Sequence, residues 1–478
     1  MNAIAPDPRR WKALALLCAS FFMVVLDIAI VNVALPSIGR ELDFSQDNLQ
    51  WVVTAYALTF GGFLLLGGRL ADLLGRRRLF MIGLVLFTLA SLMCGLAKSE
   101  GVLIASRAIQ GLGAAIISPA ALSIITTTFT EGSERNKALG VWGAVGGTGA
   151  AAGVLMGGVL TKYLGWEWIF WVNVPVGAIA LALTVLLVTE SRRETAERRF
   201  DPLGAFSVTA GLVAFVYAVS EAPDEGWASF RTIGLLLVSG ALIAFFLVWE
   251  TRVRSPLMPL GIFRNRLLTA ANIVGLLQAG GLFAMFFLLT LYMQQVLGFS
   301  ALQTGIGFLA TAGTAVVFAG PSQALVTRIG PKPVLVTGLA LLTAGILWYT
   351  QISVDGSYPV DLLPGFILTG IGIPLSFIPI NIAALAGVEE REAGLASGLI
   401  NTSQQIGGAI GVAVISTVAF EHAETLVQSG ETPPAALTEG FQWGFWVGGG
   451  IWLVALLAAI TLMRREELEV GAPAVEAT

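Results

Sequence analysis

The first apolar stretch of the chain contains an acid: in "FFMVVLDIAIVNVALP", Asp27 has aliphatic neighbours on both sides. A later apolar stretch, "IASRAIQGLGAA", contains Arg107 and, one helical turn further on the same face, Gln110. If both stretches cross a membrane, Asp27 lies about 12 Å and Arg107 about 8 Å below the same membrane face, at about 1.5 Å per residue. Charges at such depth are costly and usually mark ion pathways. We therefore predict that Asp27 binds a proton and that Arg107 responds to its charge; a static ion pair that only fixes the helix register is the alternative.

Uncharged polar side chains in other apolar stretches are candidates for binding a solute. Asn401, Gln404 and Gln405 share one helix face by their spacing. The alternative role for the amide side chains is a hydrogen bond between helices, and for Tyr56 it is packing of the ring. The stretches of the second half contain no deep carboxylate, and a single deep acid argues against a dication as the preferred solute. The candidates are Tyr56, Gln110, Asn272, Gln278, Asn381, Asn401, Gln404 and Gln405.

These side chains need a scaffold, and the composition indicates its kind. The 478 residues are 56% hydrophobic and only 12% charged, with a mean hydropathy of +0.81, whereas a soluble protein carries about twice that charged fraction. The net charge of −4 offers no basic surface for nucleic acid. Both cysteines lie in apolar stretches, and the single histidine, His422, lies in a polar stretch that we predict to be a loop. We therefore predict no metal site, no cofactor and no catalytic constellation of a membrane enzyme.

A membrane-spanning helix needs about 20 mostly apolar residues, and the chain has fourteen such stretches. Lysines and arginines are unevenly distributed around them: 22 of the 27 lie on the same side as the N-terminus, and Arg40, Lys98, Lys162 and Arg231 on the other. The positive-inside rule then places both termini in the cytoplasm of a multi-pass protein of the cell (inner) membrane. The predicted spans are 12–35, 51–68, 79–97, 102–124, 138–160, 168–188, 203–220, 232–250, 268–293, 302–326, 333–351, 361–386, 396–420 and 441–462.

A weak internal repeat divides the chain. "GRLADLLGRRRLFMIGL" at 68–84 aligns with "QALVTRIGPKPVLVTGL" at 323–339, between spans two and three and between spans ten and eleven. We predict an all-α integral membrane fold of two six-helix bundles, residues 1–190 and 268–478, the latter ending in a short cytoplasmic tail. Two inserted membrane helices and their linkers occupy 191–267. Solute sites in repeated folds of this kind lie between the repeats, near the middle of the membrane.

The loop "GGRLADLLGRRR", residues 67–78, resembles the best-known loop motif of the major facilitator superfamily. The resemblance implies a latch that closes the cytoplasmic side during alternating access. We expect Asp72 to pair with the loop arginines or to face a helix N-terminus, such as the start of span eleven after "GPKP". An ordinary positively charged loop is the alternative. The motif residues are Gly68, Asp72, Gly75, Arg76 and Arg77.

The stretch around Arg107 resembles the fourth-span motif of the same superfamily. "GAVGGTGAAAGVLMGGVL", residues 143–160, resembles the fifth-span motif of its antiporters, although Val154 stands where a proline is usual. The glycines of this motif recur on one face and imply a role in conformational change, with a plain packing seam as the alternative. They are Gly149, Gly153, Gly157 and Gly158.

Three stretches are similar to signatures of the fourteen-span drug:proton antiporter branch: the one around Asp27, "WEWIFWVNVPVG" at 166–177 and "LINTSQQIGGAIGVAV" at 399–414. The resemblance implies a transporter, not an enzyme, that exports amphipathic or drug-like compounds in exchange for protons. It implies a monomer in the lipid bilayer, driven by the proton gradient without a cofactor, with protons and a small molecule as its partners. A dedicated exporter of an endogenous metabolite or lipid is the nearest rival, and a membrane sensor or enzyme is a more distant one.

Overall fold

Helices form here because a backbone in lipid must satisfy its hydrogen bonds internally. The computed structural model describes residues 9–44, 49, 51–129, 133–190, 201–253, 256–389 and 392–463. A π-helical turn extends α9 over Tyr292–Val296, and another, Tyr358–Leu362, precedes α12. The helices are α1 Arg10–Glu41, α2 Trp51–Leu74, α3 Arg76–Gly95, α4 Glu100–Thr128, α5 Ser133–Tyr163, α6 Trp168–Leu187 with an interruption at Val172, α7 Pro202–Glu225, α8 Phe230–Glu250, α9 Arg266–Leu291, α10 Ala301–Ile329, α11 Pro331–Trp348, α12 Leu363–Leu385, α13 Ala393–Gln428 and α14 Pro433–Leu462.

Each predicted span falls on its own helix. Within the described ranges, thirteen helices are long and apolar enough to cross a membrane, and predicted span 138–160 lies in the remaining long helix, α5. The predicted all-helical membrane fold is therefore confirmed, and the predicted count of fourteen spans is consistent with it. One detail was wrong: α13 continues through the polar stretch, so His422 lies on a helix, with its Nε2 atom 3.1 Å from Glu439 Oε1 of α14.

Taken as groups, α1–α6 pack mainly on one another, as do α9–α14, although α5 and α10 also pack extensively across the two groups. We call these two groups the N-terminal and C-terminal bundles. The predicted domain boundaries at residues 190 and 268 stay predictions. Several predicted features lie outside the described residues: the linker 191–200, the tail 464–478, the side chain of Val154 and Arg391, one of the 22 basic residues predicted on the side of the N-terminus.

The two bundles meet along two seams, α5 against α10 and α2 against α13. In the second seam the backbones come close, because a Cβ atom on Gly68 would lie only 2.4 Å from the carbonyl oxygen of Gly394. Small residues are the usual means by which membrane helices pack this closely. We call the end of the molecule that holds this contact, the α2–α3 loop and the start of α1 the latch end.

The glycine stripe of α5 packs this helix on α1. Cβ atoms on Gly149, Gly153 and Gly157 would lie 2.7 or 2.8 Å from atoms of α1, while one on Gly158 would lie 3.2 Å from Leu302 of α10. The stripe therefore forms a packing seam that holds the middle of α1, and with it Asp27, at a fixed depth. A role for these glycines in conformational change stays a prediction.

Candidate functional site

Asp27 lies where α1 packs against α4 and α6 of its own bundle. Asp27, Arg107, Gln110 and Asn173 are all buried, each with an exposed fraction of 0 or 1%. Arg107 Nη1 lies 2.5 Å from Asp27 Oδ2, and Gln110 Nε2 and Asn173 Nδ2 each donate to Asp27 Oδ1 over 2.8 Å. The two charges that sequence counting placed at similar depth thus form one ion pair, and its carboxylate accepts two further hydrogen bonds.

The arginine of this pair has its own set of partners. Arg107 Nε donates to the carbonyl oxygen of Val52 over 2.9 Å, and Nη1 also donates to Gln110 Oε1 over 2.6 Å. The guanidinium carbon lies 4.3 Å from the centre of the Tyr56 ring and 5.7 Å from that of Phe170. A cation over an aromatic face is stabilised by the ring quadrupole. The guanidinium is therefore fixed by polar atoms and aromatic rings, and among the described residues only Asp27 balances its charge.

Two residues of the network were not singled out from the sequence. Asn173 lies in "WEWIFWVNVPVG" and is the one uncharged polar residue of that stretch outside its tryptophans, but its position alone assigns it no role. Ser91 of α3 accepts a hydrogen bond of 2.8 Å from Gln110 Nε2. Gln110, predicted to bind solute, instead has its side chain occupied by Asp27, Arg107 and Ser91. Nothing in the sequence separates a polar residue aimed at the acid from one aimed at a solute.

The candidates for binding a solute fall into two groups. Asn272, Asn381 and Asn401 each donate to a backbone carbonyl four residues earlier in their own helix. Such bonds satisfy the amide without a partner helix. The structure therefore gives Asn381 and Asn401 a local role, whereas Asn272 also joins two helices, because Ser403 of α13 donates to its Oδ1 atom over 2.8 Å.

The second group has buried polar atoms without a hydrogen bond in the described part of the chain. They are the hydroxyl of Tyr56, Oε1 of Gln278 and Nε2 of Gln404. Leaving such an atom unsatisfied costs about 1–3 kcal/mol, so each of them gains from a ligand or water that reaches it. Gln405 is half-buried, and its Cβ atom lies near Gly61 of α2 at the seam of the two bundles.

Asp72 lies near the end of α2 and reaches across the second seam. Its Oδ1 and Oδ2 atoms accept hydrogen bonds from the backbone N–H groups of Gly394 and Leu395, over 3.1 and 3.0 Å, at the start of α13. The expectation that Asp72 faces the start of span eleven was therefore wrong. The physical reason is that the glycine contact brings α2 against α13, whose first residues carry free N–H groups, whereas α11 begins with "PKP".

The arginines and the glycine of the loop have distinct partners. Arg76 Nη2 donates to Asp72 Oδ1 over 3.1 Å, as expected for a loop arginine. Gly75 has a φ of 108°, a conformation that favours glycine. The backbone N–H of Arg77 donates to Glu190 Oε1 over 3.2 Å, and its side chain to the carbonyl oxygen of Val185. Glu190, which the sequence analysis missed, caps α3 from the end of α6.

A further contact closes the latch end. Arg135 at the start of α5 donates to the carbonyl oxygen of Leu385 at the end of α12 over 3.4 Å, so it too joins the two bundles. Together with Asp72 and the Gly68–Gly394 approach, it shows that the bundles touch at this end. The arrangement can therefore hold one conformation by polar contacts that separate when the bundles part.

Comparison with known proteins gives the following matches. A family model described as Major Facilitator Superfamily matches residues 17–412. The puromycin resistance protein pur8 of Streptomyces alboniger is 42% identical, over 97% of this chain and 93% of that one. The cephamycin export protein CmcT of Amycolatopsis lactamdurans is 40% identical, over 85% and 84%. The crystal structure of the human organic anion transporter MFSD10 (TETRAN) covers 95% of this chain and 100% of that chain, with a TM-score of 0.68 and 16% identity, which shows a shared fold.

Proposed function

This chain belongs to the Major Facilitator Superfamily, and from that membership we propose that it is a proton-coupled exporter of drug-like compounds. As a member of a transporter family it is not an enzyme. Export is supported by two relatives that are named for puromycin resistance and for cephamycin export. Proton coupling is supported by a single observation, the buried carboxylate of Asp27 on Arg107.

Protonation of Asp27 is the proposed input to the cycle. A neutral carboxyl no longer balances Arg107, whose remaining partners are the Val52 carbonyl, Gln110 Oε1 and two aromatic rings. Removing one charge of a buried pair costs about 3–5 kcal/mol. Protonation therefore favours a conformation in which Arg107 gains water or another acceptor, and this difference in free energy shifts the population between the two states.

The latch is the proposed gate. The asymmetry of lysines and arginines supports placing the latch end, and both termini, in the cytoplasm of a multi-pass cell-membrane protein. Opening toward the cytoplasm separates Asp72 from the N–H groups of Gly394 and Leu395 and lets solute enter. The proton then leaves Asp27 inward. One chain holds both the proton site and the gate, so a monomer is sufficient.

Solute binding is proposed for Tyr56, Gln278 and Gln404, whose buried polar atoms are unsatisfied. Tyr56 connects the two functions, because its ring lies against the Arg107 guanidinium while its hydroxyl is left for a solute. No carboxylate is buried among the described residues of α9–α14, which favours neutral or singly charged solutes over dications. Counterflow with dyes of charge 0, +1 and +2 tests this, and a strong preference for the dication contradicts it.

The decisive experiment replaces the titratable group. The parent and Asp27→Asn proteins are reconstituted in liposomes with an internal pH dye, and solute-driven proton flux is measured. We expect Asp27→Asn to lose proton flux and gradient-driven export but to keep solute–solute counterflow, because the amide keeps the shape of the site. Asp355→Asn, in an exposed turn, is the matched control and should behave as the parent. Gradient-driven export by Asp27→Asn at the parent rate would show that the coupling residue is another one.

Dedicated export of one compound is the second candidate, favoured by the relative that is named for the export of cephamycin. The same liposomes distinguish the two. A broad exporter shows counterflow with chemically unrelated solutes, whereas a dedicated one is saturated by one compound and its close analogues only.

A further inference from the structure

The two inserted helices, α7 and α8, form a hairpin at the seam between α2 and α13. α8 is largely exposed on the outside of the molecule, whereas α7 contacts α2 of one bundle and α13 of the other. A Cβ atom on Gly61 of α2 would lie 3.7 Å from Val216 of α7 and 4.0 Å from Gln405 of α13. Three helices, one from each bundle and one from the hairpin, therefore meet at this glycine.

The hairpin is tied to the N-terminal bundle at the latch end. The buried Arg69 of α2 donates from Nη2 to the carbonyl oxygen of Pro256, just after α8, over 2.8 Å. Glu250 at the end of α8 fixes this segment, because its carboxylate accepts from the N–H groups of Leu257 and Met258 over 3.2 and 3.0 Å. Arg69 lies one helical turn before Asp72, so the same turn of α2 carries the latch and the hairpin contact.

The foot of the hairpin is also closed on itself. Asp201 caps α7 by accepting from the N–H of Gly204 over 3.0 Å, and it accepts from Trp249 Nε1 of α8 at 3.1 and 3.0 Å. These bonds hold the latch ends of α7 and α8 together. The hairpin can therefore follow α2 as one body.

The tie to the C-terminal bundle lies at the opposite end. Trp227, in the α7–α8 turn, donates from Nε1 to Thr417 Oγ1 of α13 over 2.9 Å. Thr417 is 24 residues beyond the start of α13, which corresponds to about 36 Å along the helix at about 1.5 Å per residue. The hairpin thus binds one bundle at the latch end and the other bundle at the far end of the same seam.

We propose that the α7–α8 hairpin is a strut across the α2–α13 seam, which moves with α2 and holds the C-terminal bundle through Trp227 and Thr417. Rocking of the two bundles changes the angle at this seam, so the two ties cannot both keep their geometry. Because both are made in the conformation that is closed at the latch end, the strut stabilises that conformation. The proposal rests on the alternating access proposed above, and on nothing concerning protons or solute.

The test measures conformation directly in the full-length protein in lipid nanodiscs. Spin labels on Leu74→Cys and Ile329→Cys, both exposed and at the latch ends of α2 and α10, report the distance between the bundles. The native Cys18 and Cys94 are buried and do not compete for the label. Measurements are also made with Asp72→Ala added, which breaks the latch so that open and closed distances are both populated.

Removing the far tie should increase the open population. Trp227→Phe and Thr417→Val each delete one partner of a single hydrogen bond, so each should raise the open-to-closed ratio by about two- to tenfold. The double variant should match either single one, because both delete the same bond. Thr425→Val is the matched control, since its hydroxyl donates to Glu421 within α13, and it should change the ratio by less than about twofold.

A packing variant tests the strut independently of this hydrogen bond. A Cβ atom on Gly62 would lie 2.3 Å from Val213 Cγ2 of α7, so Gly62→Ala should push α7 from α2 and raise the ratio by about fivefold or more. Val213→Ala in the same chain makes room and should restore the parent ratio. An unchanged ratio in Trp227→Phe, Thr417→Val and Gly62→Ala, or a shift toward the closed state, overturns the strut.

Failure of the proposed function looks different. If Asp27→Asn still shows gradient-driven export, the assignment of Asp27 as the proton site is wrong, but the distance distributions expected for the strut variants are unaffected. If the distance between the two labels is the same at every pH and in Asp72→Ala, alternating access itself is wrong. The strut proposal, which depends on it, is then wrong as well. The two proposals are thus tested by different measurements.

Discussion

Two buried aspartate–arginine pairs occur among the described residues, Asp27–Arg107 and Asp72–Arg76, and they differ in where their partners lie. All hydrogen-bond donors to Asp27 belong to the N-terminal bundle. Asp72 accepts from Arg76 and also from two backbone N–H groups of the C-terminal bundle. Because the partners of Asp27 all belong to one bundle, its contacts change when it is protonated. Because the partners of Asp72 belong to both bundles, its contacts change when the bundles separate.

The two arginines differ in the same way. Arg76 lies four residues after Asp72, so this pair persists when the bundles part and the opened latch does not leave a bare buried charge. Arg107 and Asp27 belong to different helices, and neither has a second counter-ion in the contacts described above. The structure therefore lets the latch open at modest cost in free energy, while neutralising Asp27 is expensive enough to drive a conformational change.

The largest effect is expected from breaking the first pair at its arginine. Arg107→Met leaves Asp27 without its counter-ion and should lower the free energy of unfolding by about 3–5 kcal/mol. Equilibrium unfolding in mixed micelles with increasing sodium dodecyl sulfate measures this change. Arg231→Met, at an exposed arginine in the first turn of α8, is the control and should leave the unfolding transition nearly unchanged.

A second variant separates stability from coupling. Replacing both charges by apolar groups, Asp27→Leu with Arg107→Met, should recover most of the lost stability, because a buried ion pair is often matched by well-packed apolar side chains. The double variant should nevertheless lack proton-coupled export. Recovery of both properties together would mean that the pair is only a structural contact.

The next effect is expected at the second pair and concerns conformation. Asp72→Ala removes two hydrogen bonds between a carboxylate and backbone N–H groups, and bonds to a charged group are worth about 1.5–3 kcal/mol each. The closed latch should lose about 3 kcal/mol relative to the open one, which is more than a hundredfold in the ratio of the two. The distance between spin labels at positions 74 and 329 checks this. Asp72→Ala keeps Asp27 and should keep a dependence of the open-to-closed ratio on pH, whereas Asp27→Asn should reduce that dependence; an equal pH dependence of both variants would erase the contrast between the pairs.

Much of this architecture can be predicted from the sequence, because each membrane helix satisfies its backbone hydrogen bonds within its own segment. An apolar stretch of sufficient length becomes a helix whatever its neighbours are, so all fourteen spans fall on helices. The pairing of Asp27 with Arg107 follows from the same simplicity, since depth can be counted along a straight helix. The polar extension of α13 beyond the membrane has no such signal, and its helix was missed at His422.

Contacts between distant helices are where the sequence is insufficient. Asp72 and Leu395 are 323 residues apart, and only the fit of Gly68 against Gly394 shows that α2 meets α13 and not α11. The solute candidates show the same limit. Asn272 and Gln278 look alike in the sequence, but the side-chain oxygen of Asn272 accepts from Ser403, whereas that of Gln278 has no hydrogen bond among the described residues.

The smallest effect is expected at Asn173, which the sequence analysis did not single out. Asn173→Ala removes one of the two amide donors to Asp27 Oδ1 and should lower the free energy of unfolding by about 1.5 kcal/mol. If that bond is made to the charge of Asp27, the same substitution should cost about half as much or less in an Asp27→Asn chain, because a neutral acceptor gains less from the donor. Asn381→Ala is the matched control, since its amide donates to the Phe377 carbonyl of its own helix, and its cost should be the same with Asp27 or with Asn at position 27. Equal costs of Asn173→Ala in the two backgrounds would place this residue among the packing contacts of α6, and the network that senses the proton would then not include α6.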